Sequence, residues 1–225
     1  MTEYNLIRSS RKTIAIYITG DATVEVRAPL WVPKHEIDRF VASRQGWINK
    51  NLAIRQHFFQ NKTAFQLNYG DMVLLQGRAY PITAGNSSRA AFDGTSFVIP
   101  SGLTAGEIKG AVVRIYRDIA KKLLLHKVLA YAKQMGVMPS AVKVNGAKSR
   151  WGSCSGKNSL NFSWRLVMAE DDVVDYVVVH ELAHIIEHNH SSGFWAIVAN
   201  RMPGYKQQQA KLNQLQKRLA NEDWD

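Results

Sequence analysis

The five residues His180-Glu181-Leu182-Ala183-His184 decide the fold of this chain, because they match the pattern H-E-x-x-H. Histidines at positions i and i+4 of a helix project from one face, one turn apart, so both imidazoles can reach a single metal ion. Glu181 is rotated by about 100° from His180 around the helix axis, which suits a base that acts on a zinc-bound water. The stretch predicts a metal-binding helix.

A third histidine is expected just beyond this helix, since four of the seven histidines (His180, His184, His188 and His190) lie within eleven residues. In a continuous helix the Cα atoms of His180 and His188 would be about 12 Å apart, near the limit for two imidazoles that share one ion. His190 is better placed if the helix ends near Asn189, a residue that tolerates a left-handed helix exit. We interpret His188 as a residue beside the site or on the surface.

A carboxylate is not expected to complete the site, since residues 188–220 contain no Asp or Glu. A catalytic zinc has three protein ligands and one open position. The pattern therefore predicts one Zn²⁺ per chain, held by His180, His184 and His190, with Glu181 as the catalytic base.

The residues before the motif are consistent with a buried helix. Asp171 and Asp172 are expected to cap its N-terminus and to interact favourably with the helix dipole. The segment 173–179 is apolar nearly all round, as in a buried central helix. Its many β-branched residues would also suit a strand, but the spacing of His180 and His184 requires a helix.

Composition and cysteine content restrict the class of protein. A chain of 225 residues is long enough for one large domain or two small ones. Cys154 is the only cysteine, which excludes an internal disulfide and fits a reducing compartment. No apolar run is long enough to cross a membrane, and the first residues do not resemble a signal peptide. We predict a cytoplasmic enzyme with no membrane partner.

Charge is distributed unevenly along the chain. Residues 109–165 carry 12 basic side chains and one acidic side chain, whereas residues 166–187 carry six acidic and no Lys or Arg. Such a basic block indicates an anionic partner or substrate, or else a solvated helix face. Nucleic acid is compatible with this charge but is not the favoured partner.

The order of predicted elements indicates an α+β fold in two parts. Residues 1–102 form a smaller β-containing N-terminal half, with a hairpin at 13–28, a helix from Pro33 to about Gln60, and strands at 72–76, 79–83 and 97–99. Residues 103–225 form the catalytic half. Its predicted elements are a long helix to Met135, strands at 142–144 and 159–163 around a polar turn at Gly152–Asn158, the metal helix, and closing helices at 194–202 and 207–219.

Several stretches resemble the YgjP-like metal-dependent hydrolases, a zincin-type group of metallopeptidases related to the SprT-like and WLM families. The matching residues are Arg150–Ser155 (RWGSCS), Leu160–Leu166 (LNFSWRL), Asp175–His184, Asn189–Ser191 and Phe194-Trp195. The resemblance implies a zincin-like catalytic half with His180, His184 and His190 as ligands and Glu181 as the base. It also implies that the Leu160–Ser163 strand borders the active-site cleft. Glu187 stands where metzincins have glycine, which favours the YgjP-like group.

Three residues are candidates for contact with the substrate. Arg150 and Arg165 each present a guanidinium fork that suits a carboxylate or phosphate, although salt bridges to the acidic segment 170–175 explain them equally well. Asn161 lies in the strand that the resemblance places at the cleft.

The predicted activity is zinc-dependent hydrolysis of peptide bonds. An alternative is hydrolysis of a phosphate compound such as a nucleoside triphosphate, of the pyrophosphatase type, which the basic block favours. A third interpretation is a nucleic-acid-associated protein with a structural metal. Glu181 argues against that interpretation, since a structural site needs no base.

Overall fold

The structure, a computed structural model, describes residues 2–224, and for residues 58–64 it describes the backbone alone. The chain divides into two compact units. The first contains residues 2–65 together with Arg218–Asp223, and the second contains Gln66–Lys217 together with Trp224. Both units combine helices with small sheets, so the fold class is α+β, as predicted. The predicted start of the catalytic half at residue 103 stays a prediction.

The first unit contains a three-stranded sheet. Its strands are β1 (Asn5–Ser9), β2 (Ala15–Ile18) and β3 (Val24–Pro29), in the order β1-β3-β2. β2 and β3 form the predicted antiparallel hairpin. β1 pairs with β3 in parallel and is mostly exposed. Its sequence lacks the alternation of apolar and polar residues that predicts a strand, which is why β1 was not predicted.

The helix predicted from Pro33 to about Gln60 is interrupted. α1 (Lys34–Ser43) ends at Arg44, whose φ of −108° and ψ of 11° are not helical, and α2 (Gln45–Ala64) begins directly afterwards. The spacing of the apolar residues continues across Arg44, so it could not predict a break of one residue. Both helices contribute to one buried cluster with the sheet, formed by Val24, Val26, Ala28, Val32, Ile37, Val41 and Ile48.

The second unit begins with a four-stranded sheet. It consists of β4 (Met72–Leu75), β5 (Arg78–Gly85), β6 (Ala91–Phe92) and β7 (Phe97–Pro100), in the order β4-β5-β7-β6. The three strands predicted in this region are confirmed as β4, β5 and β7. β6 has only two residues, too few for a periodic pattern to predict it.

A helix of 31 residues, α3 (Ala105–Met135), follows. Thr104 and Glu107 form a capping box at its start, in which the Glu107 carboxylate accepts a 2.8 Å hydrogen bond from the Thr104 backbone N–H. Gly136 ends the helix in the left-handed conformation. The predicted long helix is confirmed, and its buried face includes Ile108, Ala111, Val112, Tyr116, Ala120, Leu124 and Val128.

A second sheet contains β8 (Ala141–Asn145), β9 (Gly152–Cys154) and β10 (Ser159–Ser163), in the order β8-β10-β9. The polar turn predicted over Gly152–Asn158 is wrong for its first three residues, which form β9. A strand with the sequence Gly-Ser-Cys has no apolar alternation, so the pattern could not predict it. β10 is the central strand, and β9 lies at the edge of this sheet.

The helix that carries the H-E-x-x-H pattern is α4 (Asp171–Ile186), which a short 3-10 helix at Trp164–Met168 precedes. The prediction that Asp171 and Asp172 cap the helix is wrong. The N-cap is Glu170, with no side-chain cap, and the two aspartates lie in the first turn. Their negative charges still interact favourably with the positive end of the helix dipole.

Two lysines neutralise the acidic start of α4. Lys127, which is 8% exposed, contacts Asp175 at 2.6 Å and Asp171 at 2.9 Å. Lys211 contacts Glu170 at 2.6 Å and Asp172 at 3.1 Å. The basic block and the acidic segment therefore meet at Lys127, so part of the uneven charge is balanced inside the protein.

Two helices close the chain. They are α5 (Ser192–Arg201) and α6 (Tyr205–Leu219), and the predicted break between them at Pro203-Gly204 is confirmed. Among the described residues, no helix combines the length and the apolar character that crossing a bilayer requires.

Candidate metal centre

Three histidines converge at the C-terminal end of α4. His180 and His184 lie one turn apart on the helix, and His190 follows it. One ring nitrogen from each residue can be chosen so that all three atoms lie within 4.8 Å of one another. The Nε2 atoms of His180 and His190 are 3.1 Å apart. His188 is exposed and does not belong to this group.

The donor set fits a divalent first-row metal. Two nitrogens on a tetrahedral zinc, each roughly 2.0–2.1 Å from the ion, lie roughly 3.3 Å apart, close to the His180–His190 separation. Nδ1 of His184 is 3.2 Å from the backbone carbonyl of Glu187, which fixes the ring and leaves Nε2 for an ion. Three imidazoles leave the open position that a catalytic site requires.

The electrostatics keep two of these imidazoles in the form that binds a metal. Burial, together with the charges of His184 and His190, lowers the pKa of His180 to about 4. Burial also lowers the pKa of His184, against the opposing effect of the Glu187 carbonyl. Burial thus favours the neutral form of both rings, and only a neutral imidazole has a lone pair for a metal.

The route from α4 to His190 differs from the expected one. The helix ends at Ile186, three residues before Asn189, because Glu187 is extended, with φ −135° and ψ 108°. Asn189 is not left-handed. Its side-chain oxygen accepts a 2.9 Å hydrogen bond from the backbone N–H of Ser191, whose hydroxyl caps α5. The earlier exit turns the chain back so that His190 reaches the other two histidines.

Phe194 forms an apolar floor under the histidines. Its ring centroid lies 4.9 Å from that of His180, 4.4 Å from that of His184 and 4.7 Å from that of His190, and the residue is fully buried. No role at the site was predicted for Phe194 from the sequence. Its position four residues after His190, near the start of a helix, is the one signal that pointed to it.

Aromatic rings continue outward from the histidines. Trp195 stacks on His190 at 5.7 Å, Tyr205 stacks on Trp195 at 5.3 Å, and Tyr176 stacks on Tyr205 at 6.4 Å. Tyr176 is buried, and burial raises the pKa of its hydroxyl to about 12. These contacts pack the start of α5 and the start of α6 against α4.

Glu181 is the buried carboxyl group of the site. It is 6% exposed, and the structure describes no hydrogen bond to its side chain. Burial raises the pKa of Glu181 to about 7, although the positive charge of Arg150 acts in the opposite direction. A carboxyl group with a pKa near neutrality suits a group that takes up and releases a proton in catalysis.

The structure separates the three candidate substrate residues. Arg150 is exposed and close enough for its charge to act on Glu181. Asn161 is paired with Ser153 of β9 and therefore lies on the face of the sheet opposite to Gly152. Arg165 is buried, with its guanidinium 2.9 Å from the Gly146 carbonyl. Contact of each residue with a substrate stays a prediction.

The comparisons with known proteins agree with the family resemblance. A model of the YgjP-like metallopeptidase domain matches residues 12–215. The fold is α+β with a histidine cluster that could hold a metal ion, and the chain belongs to the YgjP-like metallopeptidase family.

Two solved structures are similar to part of the chain. The metallopeptidase zymogen of Pyrococcus abyssi abylysin is 22% identical, with a TM-score of 0.37, over 46% of this chain and 98% of that chain. The metallopeptidase zymogen of Methanocaldococcus jannaschii jannalysin is 20% identical, with a TM-score of 0.37, over 40% of this chain and 94% of that chain. A comparison with curated proteins found no match.

Proposed function

We propose that this protein is a zinc-dependent peptidase in which His180, His184 and His190 hold the ion and Glu181 is the general base. The observation that carries the proposal is the convergence of three imidazole nitrogens within 4.8 Å of one another, at the end of a helix that also carries a buried carboxyl group. Zinc bound there would polarise a peptide carbonyl and acidify water.

Glu181 moves the proton in the proposed reaction. Its carboxylate accepts a proton from the attacking water and, as a carboxylic acid, returns it to the nitrogen of the departing amine. The same group therefore acts first as a base and then as an acid. Burial of Glu181 raises the pKa of its carboxyl group, which makes that group a stronger base than an exposed carboxylate.

The strand that would align a peptide is β9. β10 pairs with β8 on one side and β9 on the other, so its backbone groups are already used. β9 packs against α4, and its second edge pairs with no strand of the described chain. An extended peptide can add to such an edge through backbone hydrogen bonds.

Family membership favours peptides over phosphate compounds as the substrate. The phosphate hypothesis depended on the basic block, and Lys127 of that block is engaged with Asp171 and Asp175. A purely structural metal is also disfavoured, because Glu181 is buried beside the histidines without a structural partner among the described residues.

A cleavage assay with defined metal content tests the proposal. Zinc-loaded protein should cleave an unfolded polypeptide, lose that activity in a chelator, and regain it when about one equivalent of Zn²⁺ is added. Nucleoside triphosphates tested in parallel should release no phosphate or pyrophosphate. Zinc-dependent hydrolysis of the nucleotide without peptide cleavage would establish the phosphate alternative.

A further inference from the structure

Gly152 lies where β9 faces Glu181. A Cβ atom built on Gly152 would lie 2.6 Å from Cγ, 2.6 Å from Oε1 and 2.8 Å from Cδ of Glu181, below the 3.0 Å that real Cβ contacts respect. The backbone φ of Gly152 is outside the left-handed range, so the conformation itself does not require glycine. Space for the Glu181 side chain is what requires it.

The strand register shows which face of the sheet this space belongs to. Gly152 pairs with Phe162, and Cys154 pairs with Leu160, so these four residues share one face. Phe162 and Leu160 are fully buried. The Glu181 side chain thus lies in a slot between α4 and the backbone of β9, on the core face of the sheet.

We propose that Gly152 is a positioning residue whose missing side chain creates the slot that holds the Glu181 carboxyl group. Because the structure describes no hydrogen bond to that carboxyl group, the walls of the slot fix its position. This inference rests on the proposed function, since it concerns the base of that reaction. The slot also explains why a glycine stands in a three-residue strand, where it weakens pairing.

Two other glycines provide matched controls. Gly156 lies in the turn that follows β9, and a Cβ there would meet nothing within 4 Å. Gly85 in β5 is crowded by Val98, so an alanine there clashes away from the site. Gly156→Ala controls for the loss of glycine, and Gly85→Ala controls for a clash that has no part in catalysis.

Turnover of a peptide by zinc-loaded variants is the first test. Gly152→Ala should lower kcat by about 100-fold or more, the contribution of a general base, with KM and zinc content changed by less than about threefold. Gly156→Ala and Gly85→Ala should keep kcat. The Glu181→Ala variant lacks Cγ, Cδ and Oε1, the atoms with which an alanine at residue 152 would clash. In that background, Gly152→Ala should leave the residual rate unchanged. An equal loss of kcat in both backgrounds, or a normal kcat in Gly152→Ala, would refute the proposed role of Gly152.

Thermal unfolding is the second test and needs no turnover. Gly152→Ala should lower Tm by roughly 3 °C or more in the wild-type background and have little effect in Glu181→Ala, since the two sites contact each other. Gly85→Ala should lower Tm equally in both backgrounds. Equal effects of Gly152→Ala in both backgrounds would overturn the inference. Absence of peptide cleavage by the wild type would count against the proposed function instead, while the unfolding cycle still decides about the slot.

Discussion

At the residue scale, the proposal of a catalytic metal site depends on His190. His180 and His184 follow directly from the helix period, but two imidazoles alone do not make the three-ligand set of a catalytic zinc. In the proposed site His190 would complete that set, because the chain leaves α4 at Ile186 and the Nε2 atom of His190 lies 3.1 Å from that of His180.

Replacing His190 should therefore remove most of the metal. We expect about one zinc per wild-type chain and a small fraction of that in His190→Ala, as also in His180→Ala and His184→Ala. His188→Ala is the matched control and should keep the metal, since His188 lies outside the cluster. Metal analysis after gel filtration measures this. Full occupancy in His190→Ala would mean that another residue is the third ligand.

Phe194 should affect the metal through the orientation of its ligands. Phe194→Leu keeps an apolar side chain but loses the ring that contacts all three histidines, so zinc affinity should fall by about 10-fold or more. Val198→Ala, at a buried position one turn later in α5, should lower stability and leave affinity unchanged. Competition with a zinc-binding dye measures both. Equal affinities of Phe194→Leu and the wild type would contradict a role for the ring.

At the scale of elements, the parts with a clear period were predictable and the short parts were not. Apolar residues at helical spacing predicted α3, and the spacing of His180 and His184 outweighed the β-branched residues of α4. β9 was missed because three residues show no period. The end of α4 at Ile186 was missed because no Gly or Pro marks it, and the extended conformation of Glu187 cannot be read from the sequence.

The same limit applies to the candidate site. The three histidines and Glu181 could be named from spacing alone, because they are close in sequence. Gly152 and Phe194 act through contacts across strands and helices, which a single sequence does not reveal. Gly152 is separated from Glu181 by most of the β9–β10 hairpin and the first part of α4.

Lys127 links α3 to α4 through its ion pairs with Asp171 and Asp175. Lys127→Met should lower the free energy of unfolding by about 2–3 kcal/mol, because it leaves Asp175 without its cation in a poorly solvated place. Lys121→Met, at an exposed position of α3, is the control and should have little effect. Urea unfolding at pH 7 measures the difference. Equal stabilities of Lys127→Met and the wild type would show that these ion pairs do not stabilise the packing of α3 on α4.

The contribution of Lys127 should also depend on pH. Burial acts to lower the pKa of Lys127, but hydrogen bonds to Asp175 and Asp171 outweigh it, so the pKa is raised above 10.5. A raised pKa in the folded state stabilises the protein fully below the unfolded value and loses that effect as pH rises through the folded value. The difference in unfolding free energy between wild type and Lys127→Met should therefore be constant from pH 8 to 9 and shrink above about pH 10.5. A difference that grows in alkali would contradict this sign.

At the scale of the whole molecule, we expect the net charge of +11 to have little effect on the proposed reaction. Three exposed lysines near the second sheet, Lys143, Lys148 and Lys157, test this. Their combined change to Gln should alter kcat/KM for a neutral peptide by less than about threefold and with little dependence on salt, since a neutral peptide has no net charge for the lysines to attract. A large loss that disappears in high salt would show that the substrate is anionic.

Zinc content and peptide turnover, measured in the same sample of Glu181→Gln, test whether Glu181 is the general base of a zinc peptidase. The amide has nearly the same shape but cannot accept a proton, so we expect about one zinc per chain and a kcat lowered by about 100-fold or more. Glu170→Gln, at the opposite end of α4 and partly exposed, should retain both zinc and activity. A Glu181→Gln enzyme that cleaves peptides at the wild-type rate would contradict the account.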